Sequence, residues 1–142
     1  MKTSKKILLA EDNPKDAELM FLALEGYNLD IIHVSDGAEA LDYLYCRGNF
    51  SDREPGNPIV IFMDLKMPKL DGMQVIKQIK SDENLKSIPV VMLTSSREEK
   101  DLVESYSLGV NAYVVKPVDF EKFMETIKQI GIFWTLINET PI

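Results

Sequence analysis

The sequence predicts an α/β fold, a doubly wound parallel sheet of five strands alternating with helices, and three observations lead there. Five short apolar runs recur along the chain, at Ile7 to Ala10, Ile31 to Val34, Ile59 to Met63, Val90 to Leu93 and Ala112 to Val115. Each is too short for a helix and reads as a strand. Their apolarity is continuous rather than alternating, the pattern of strands covered on both faces, which suits a parallel sheet and not an antiparallel meander. Between the runs lie segments with apolar residues three and four apart: Ala17, Met20, Phe21 and Leu24; Ala40, Leu41, Leu44 and Tyr45; Val75, Ile76 and Ile79; Leu102, Val103 and Tyr106. Those stripes are amphipathic helices.

Start and stop signals fall where the alternation needs them. Asn13 before Pro14 opens the first helix, Asp36 the second, Asp71-Gly72 the third, Ser96 with Glu99 the fourth as a capping box, and Asp119 the fifth. Gly26 and Gly109 suit helix ends. Right-handed crossovers leave few ways to wind such a (βα)5 chain, and the commonest is the flavodoxin-like order 2-1-3-4-5. The segment "RGNFSDREPGNP", residues 47 to 58, is rich in Gly, Pro and Asn and predicts an exposed loop before the third strand, its role open. In "FEKFMETIKQIGIFWTLINE" the apolar positions 120, 123, 124, 127, 130, 134 and 137 extend a helical stripe past Gly131, predicting an extended C-terminal helix.

At 142 residues the chain fits a single domain, residues 1–142, with a core from about 5 to 130 and a helical extension over about 131–139. Hydrophobic residues at 45% and charged residues at 27% are ordinary for a globular chain and give no sign of disorder. Sixteen basic against twenty-three acidic residues leave a formal charge of -7, which repels phosphate backbones and argues against nucleic-acid binding. The single cysteine, Cys46, excludes an intramolecular disulfide, so a reducing cytoplasm is expected. The opening "MKTSKKILLAEDN" is too poor in apolar residues for a signal peptide or membrane span.

Ligands in open α/β sheets gather beyond the carboxyl ends of the strands. There the sequence sets Glu11 and Asp12 after the first strand, Asp64 after the third, Thr94 and Ser95 after the fourth, and Lys116 and Pro117 after the fifth. With strands one and three adjacent, Glu11, Asp12 and Asp64 share a pocket, and three like charges there are costly unless compensated. Lys116 is one compensator and a hard divalent cation is the other; Mg2+ binds through one or two carboxylates and keeps positions for water and phosphate oxygens. A phosphoryl group brought there would face Asp64 as nucleophile, with Lys116 offsetting charge and Thr94 hydrogen-bonding an oxygen.

The pieces "LLAEDN", "IFMDLKMPKLDG", "VVMLTSS" and "AYVVKP" resemble the receiver domain of two-component response regulators, over Lys5 to about Ile130. The spacings fit as well, with 30 residues from Asp64 to Thr94 and 22 from Thr94 to Lys116. The resemblance implies Asp64 as phosphoacceptor, Mg2+ (or Mn2+) held by Asp12, by Asp64, by the Lys66 carbonyl and by Glu11 through water, Lys116 and Thr94 on the phosphoryl group, and Tyr113 as an aromatic switch. It implies a sensor histidine kinase as phosphodonor, a cis bond between Lys116 and Pro117, and signalling through helix four, strand five and helix five to a downstream protein or phosphotransfer protein. Two departures are the acidic pair begun by Glu11 rather than Asp and the longer loop before strand three; neither removes a needed group. That loop and the "FWTLINE" tail are similar to single-domain regulators paired with phytochrome kinases. Nothing through Ile142 reads as an output domain.

Other residues have plainer readings. His33 is a half-buried strand residue, Cys46 an inert helix-end thiol, and Met63, Met67, Met73 and Met92 are core filling. Apolar residues around Ile132, Phe133, Trp134 and Leu136 cover more than one helix face, which predicts a homodimer through the fourth helix, fifth strand and fifth helix with the tail; the alternative is a tail folded on its own domain. Competing functions fit less well. A flavodoxin-like electron carrier needs an uncharged phosphate cradle where "EDNPKD" stands, and an aspartyl phosphatase needs a second acid where Lys66 stands. A phosphorylation-independent interaction module remains the alternative.

Overall fold

Parallel pairing orders the whole molecule. The computed structural model describes residues 5–25, 29–95, 97–105, 108–116 and 119–129. In chain order these form β1 (Lys5–Ala10), α1 (Pro14–Ala23), β2 (Leu29–Val34), α2 (Gly37–Leu44), a 3-10 turn (Gly48–Phe50), β3 (Val60–Asp64), α3 (Gly72–Lys80), β4 (Val90–Thr94), α4 (Arg97–Ser105), β5 (Ala112–Val115) and α5 (Phe120–Gln129). The five strands are all parallel and lie in the order β2-β1-β3-β4-β5, as the sequence predicts. Register sets Ile7 beside both Ile31 and Val60, Asp64 beside Leu93, and Thr94 beside Val115, so the strands end along one rim.

Strand alternation splits the core into two layers. Leu8, Ala10, Ile61, Met63, Val90 and Met92 pack under α2 and α3. Ile7, Leu9, Val60, Phe62, Val91, Leu93 and Val114 pack under α1 and α5, where the Phe62 and Phe123 rings meet at a tilt of 44° with centroids 5.3 Å apart. Every residue of β3 and β4 is buried, which explains their unbroken apolar sequence.

The edge strands depart from the expectation of burial on both faces. Most of β2 is half-buried, and Val115 of β5 is exposed, because an edge strand has a neighbour on one side alone and the helices cover the sheet's middle. His33 is exposed rather than half-buried; its Nε2 lies 2.7 Å from the Glu11 carbonyl oxygen and its ring meets Phe21 edge-on at 5.9 Å. Phe21 and Leu102 also turn outward from their predicted stripes, and in α2 Tyr43 rather than Tyr45 reaches full burial.

The predicted caps are in place where they are described. Asn13 Oδ1 accepts from the Lys15 and Asp16 amides, Asp36 from Glu39, and Asp119 from Lys122, while Asp71 and Gln74 form a reciprocal capping box. The Met67, Met73 and Met92 side chains join the α2–α3 layer as core filling. Loop 47–58 is exposed along most of its length and is pinned by Arg53. Gly26, Ser96, Tyr106, Pro117 and the segment from Ile130 onward lie outside the described residues, and with them the Gly26 stop, the Ser96 cap, the cis bond and the C-terminal extension. Among the described residues no helix is long and apolar enough to cross a membrane.

Candidate functional site

The rim formed by the carboxyl ends of β1, β3, β4 and β5 gathers the acids, the hydroxyl and the lysine expected there. Glu11 is 0% exposed, Asp64 is 6% exposed, and Asp12 beside them is open to solvent. One carboxylate oxygen from each of Glu11, Asp12 and Asp64 lies within 4.8 Å of the others. An all-oxygen donor set with one solvent-facing member fits a hard cation such as Mg2+ or Mn2+, and it lacks the nitrogen and sulfur ligands that zinc favours.

Strand geometry decides which groups meet. Continued past the strand ends, the alternation puts Glu11, Asp64 and Lys116 on the side of Leu9, Phe62 and Val114, which α1 covers. The Lys116 ammonium lies 2.7 Å from Glu11 Oε1, 3.1 Å from Asp16 Oδ2 and 3.2 Å from Asp64 Oδ1. Burial opposes its charge, but Glu11, Asp64 and Asp16 outweigh burial and hold its pKa above the usual lysine value. The Lys116 amide donates to the Thr94 carbonyl at 2.7 Å, which fixes the β5 end against the β4 end.

Asp64 carries the opposite perturbation. Burial first, and then the adjacent Glu11, push its carboxyl up to about 7 against the pull of Lys116. A single ammonium does not offset three acids, so the cleft is short of positive charge.

Thr94 is fully buried, and among the described residues its Oγ1 has no hydrogen-bond partner. An orphaned buried hydroxyl costs about 1–3 kcal/mol, so a group that accepts its proton would be favoured there. Tyr113 pairs in register with Met92 and packs, partly buried, on the α2–α3 layer; it therefore shares the face of Thr94 rather than that of Asp64.

The loop after Asp64 is held tightly. The Leu70 amide donates to the Pro68 carbonyl at 2.8 Å, forcing Lys69 to φ 67, a left-handed conformation that costs a non-glycine residue about 1–3 kcal/mol. At Gly72 a Cβ would press on the Asp64 carbonyl oxygen, so only glycine lets α3 begin this close to the acid. Lys66 projects from this loop to Glu99 of α4, with Nζ 3.2 Å from Oε2. Glu99 Oε1 accepts the Ser95 amide at 2.8 Å, so one carboxylate ties the loop after Thr94 to the loop after Asp64.

Sequence reasoning missed Asp16 and gave Glu99 only a capping role. The signal for Asp16 was present as a third acid in "EDNPKD", one helical turn beyond Asp12 and on the helix that faces the rim.

A family model for the response regulator receiver domain matches residues 7–128. The chain belongs to that family. Among relatives of this receiver domain, the probable methanogenesis regulatory protein FilR2 of Methanothrix harundinacea (strain 6Ac) is 41% identical over 140 residues, covering 95% of this chain and 86% of that protein. Response regulator Rcp1 of Synechocystis sp. (strain ATCC 27184 / PCC 6803 / Kazusa) is 36% identical over 132 residues, covering 92% and 88%. Among solved structures, the bacteriophytochrome response regulator RtBRR superposes with a TM-score of 0.89 at 56% identity, covering 98% of this chain and 85% of that one. The Mn2+-bound form of Rcp1 superposes with a TM-score of 0.75 at 34% identity, covering 97% and 99%. Receiver-domain response regulators are signalling proteins, and this receiver domain is related to those of phytochrome systems.

Proposed function

We propose that this receiver domain accepts a phosphoryl group on Asp64 from a phosphohistidine of a sensor histidine kinase, assisting its own phosphorylation and dephosphorylation, in a reaction that requires Mg2+ or Mn2+. The observation that carries the reading is the convergence of Glu11, Asp12 and Asp64 within 4.8 Å, with the Lys116 ammonium 3.2 Å from the Asp64 carboxylate. Glu11, Asp12, Asp64 and the Lys66 carbonyl would hold the metal ion. When bound, it supplies positive charge against the phosphoryl oxygens.

An Asp64 oxygen attacks phosphorus, an O–P bond forms as the N–P bond breaks, and the electron pair returns to the imidazole nitrogen of the donor. Lys116 offsets charge on the transferred group. Thr94, whose hydroxyl lacks a partner among the described residues, donates to a phosphoryl oxygen and draws its loop toward Asp64. Tyr113, on the same face, then repacks and changes the surface of α4, β5 and α5, a local charge event biasing a two-state element.

That surface exposes Leu102 (49%) and Val115 (44%), which supports a protein partner or a second copy of the chain docking there, with Phe133 and Trp134 of the tail extending the contact. Kinship with Rcp1 and RtBRR supports a phytochrome-type kinase as the donor and a downstream protein or phosphotransfer protein as the receiver of the signal.

Incubation with acetyl phosphate and Mg2+, followed by mass spectrometry and sedimentation, tests both parts. Wild type gains one phosphoryl group and Asp64→Asn gains none. An unmodified wild type that is folded would sink the phosphoacceptor reading. A dimer indifferent to substitution of Phe133 and Trp134 would sink the tail interface.

A further inference from the structure

We propose that Asp16 is a positioning residue which takes over the Lys116 ammonium when Glu11 and Asp64 turn to a divalent cation; the inference rests on the metal-assisted reading above. Three carboxylates share that ammonium, and they are not equivalent. Glu11 and Asp64 belong to the oxygen cluster fit for a cation, whereas Asp16 lies outside it. A cation drawn to the first two competes with the lysine for their charge and loosens their contacts with it. The Lys116 side chain is 13% exposed, so an ammonium released there without an anion would be stranded in a poorly solvated cleft.

Asp16 is placed to prevent this, and helix α1 does not need its side chain for capping. It occupies the third position of α1, where an acid commonly folds back to accept the amide of the capping residue. Here the Asn13 amide instead donates to Glu11 Oε2 at 3.1 Å, and Asn13 Oδ1 caps the Lys15 and Asp16 amides. With those amides served, the Asp16 carboxylate points across to Lys116 at 3.1 Å. Because α1 covers the face that carries Glu11, Asp64 and Lys116, the ammonium can pass to Asp16 by side-chain rotation and stay within reach of the acceptor oxygen.

The test is calorimetric titration of the full chain with Mg2+ alone, comparing wild type with Asp16→Asn, Asp16→Glu, Lys116→Met and the Asp16→Asn/Lys116→Met double variant. Asp16→Asn should weaken Mg2+ binding by about three- to tenfold, the size of coupling usual between contacting residues. Asp16→Glu should restore much of the loss. In the Lys116→Met background the same Asp16→Asn change should weaken binding less than about twofold, because no ammonium remains to be rehoused. A helix-dipole or bare charge effect would act equally in both backgrounds, and that outcome overturns the proposal. If wild type binds Mg2+ and Asp16→Asn binds it equally well, this inference alone falls. If wild type does not bind Mg2+, the metal reading falls and takes this inference with it. Should Asp16→Asn fold poorly, Asp16→Ser, which keeps a short polar residue at the helix start, carries the same cycle.

Discussion

Two cations, Lys116 at the reactive rim and Arg53 in the loop before β3, show how differently one fold can employ positive charge. Arg53 meets neutral partners. Its Nε donates to the Tyr43 carbonyl at 2.7 Å, its Nη1 to the Glu54 and Gly56 carbonyls at 2.7 and 3.1 Å, and its guanidinium lies 4.0 Å over the Tyr43 ring. Lys116 meets three carboxylates, two of which, Glu11 and Asp64, also belong to the oxygen cluster fit for a cation. The arginine contacts fix one geometry through a planar fork, whereas a lysine is a point charge on a flexible stem that exchanges partners without loss of shape. One cation is held by a fixed set of carbonyls and a ring, and the other has three carboxylates within reach.

The contrast is sharpest if the rim, adaptable in its side chains, tolerates little change in its backbone. Gly72→Ala sets a methyl against the Asp64 carbonyl, a backbone atom that cannot step aside, so stability should fall by about 3 kcal/mol in urea unfolding. A loss below 1 kcal/mol would mean that the loop after Asp64 is soft and that its geometry is not held by packing. Flexibility at the rim would then belong to backbone as well as side chains.

Arg53→Ala should come next, at about 2 kcal/mol, from lost charge-assisted hydrogen bonds and stacking. Arg53→Lys should recover less than half, since an ammonium does not reproduce the fork. Neither change should alter the yield of Asp64 phosphorylation by acetyl phosphate. An altered yield with an intact fold would join two regions that the contrast treats as separate.

Asp64→Asn should act in the opposite direction when metal is removed with EDTA. A carboxyl raised to about 7 in the folded state, above its ordinary value of 3.8, contributes stability when protonated and loses it as pH rises through 7. Wild type therefore weakens between about pH 4 and pH 8, while the asparagine form does not titrate. The variant should match wild type near pH 4 and exceed it by about 1–3 kcal/mol at pH 8. Equal stability at pH 8 would mean that Lys116 fully compensates Asp64 and that the cleft is not short of positive charge.

The sequence could announce Asp64, Glu11, Asp12, Thr94 and Lys116 because a parallel sheet aligns its strand ends, and residue positions just past each apolar run suffice to place them on one rim. It announced the middle strands correctly for the same reason: burial on both faces leaves an unbroken apolar record. Edge strands keep no such record. Ile31 and Ile32 read like core, yet each is half-buried because β2 has no neighbour beyond it. Asp16 was illegible because its role depends on which residue serves the Asn13 amide, a choice between Glu11 and Asp16 that only three-dimensional geometry makes. Glu99 was half legible: its capping bond to the Ser95 amide lies close to the predicted box, whereas its partner Lys66 is 33 positions away in sequence.

The smallest expected effect probes that last pair. Lys66 is 80% exposed and Glu99 12%, so their 3.2 Å contact is largely solvated, and such surface pairs contribute about 0–1 kcal/mol. Lys66→Ala should therefore change stability by about 0.5 kcal/mol or less, and 1 M salt should erase even that difference. Glu99→Ala should cost more, about 1 kcal/mol, because the Ser95 amide loses its acceptor. The order of the two variants matters more than either value. If Lys66→Ala proved the more harmful, the loops after Asp64 and Thr94 would be locked together by charge. With Glu99 dominant, its hold on the Ser95 amide is local to the loop after Thr94, and the cross-link to Lys66 is too weak to oppose the loop movement proposed above.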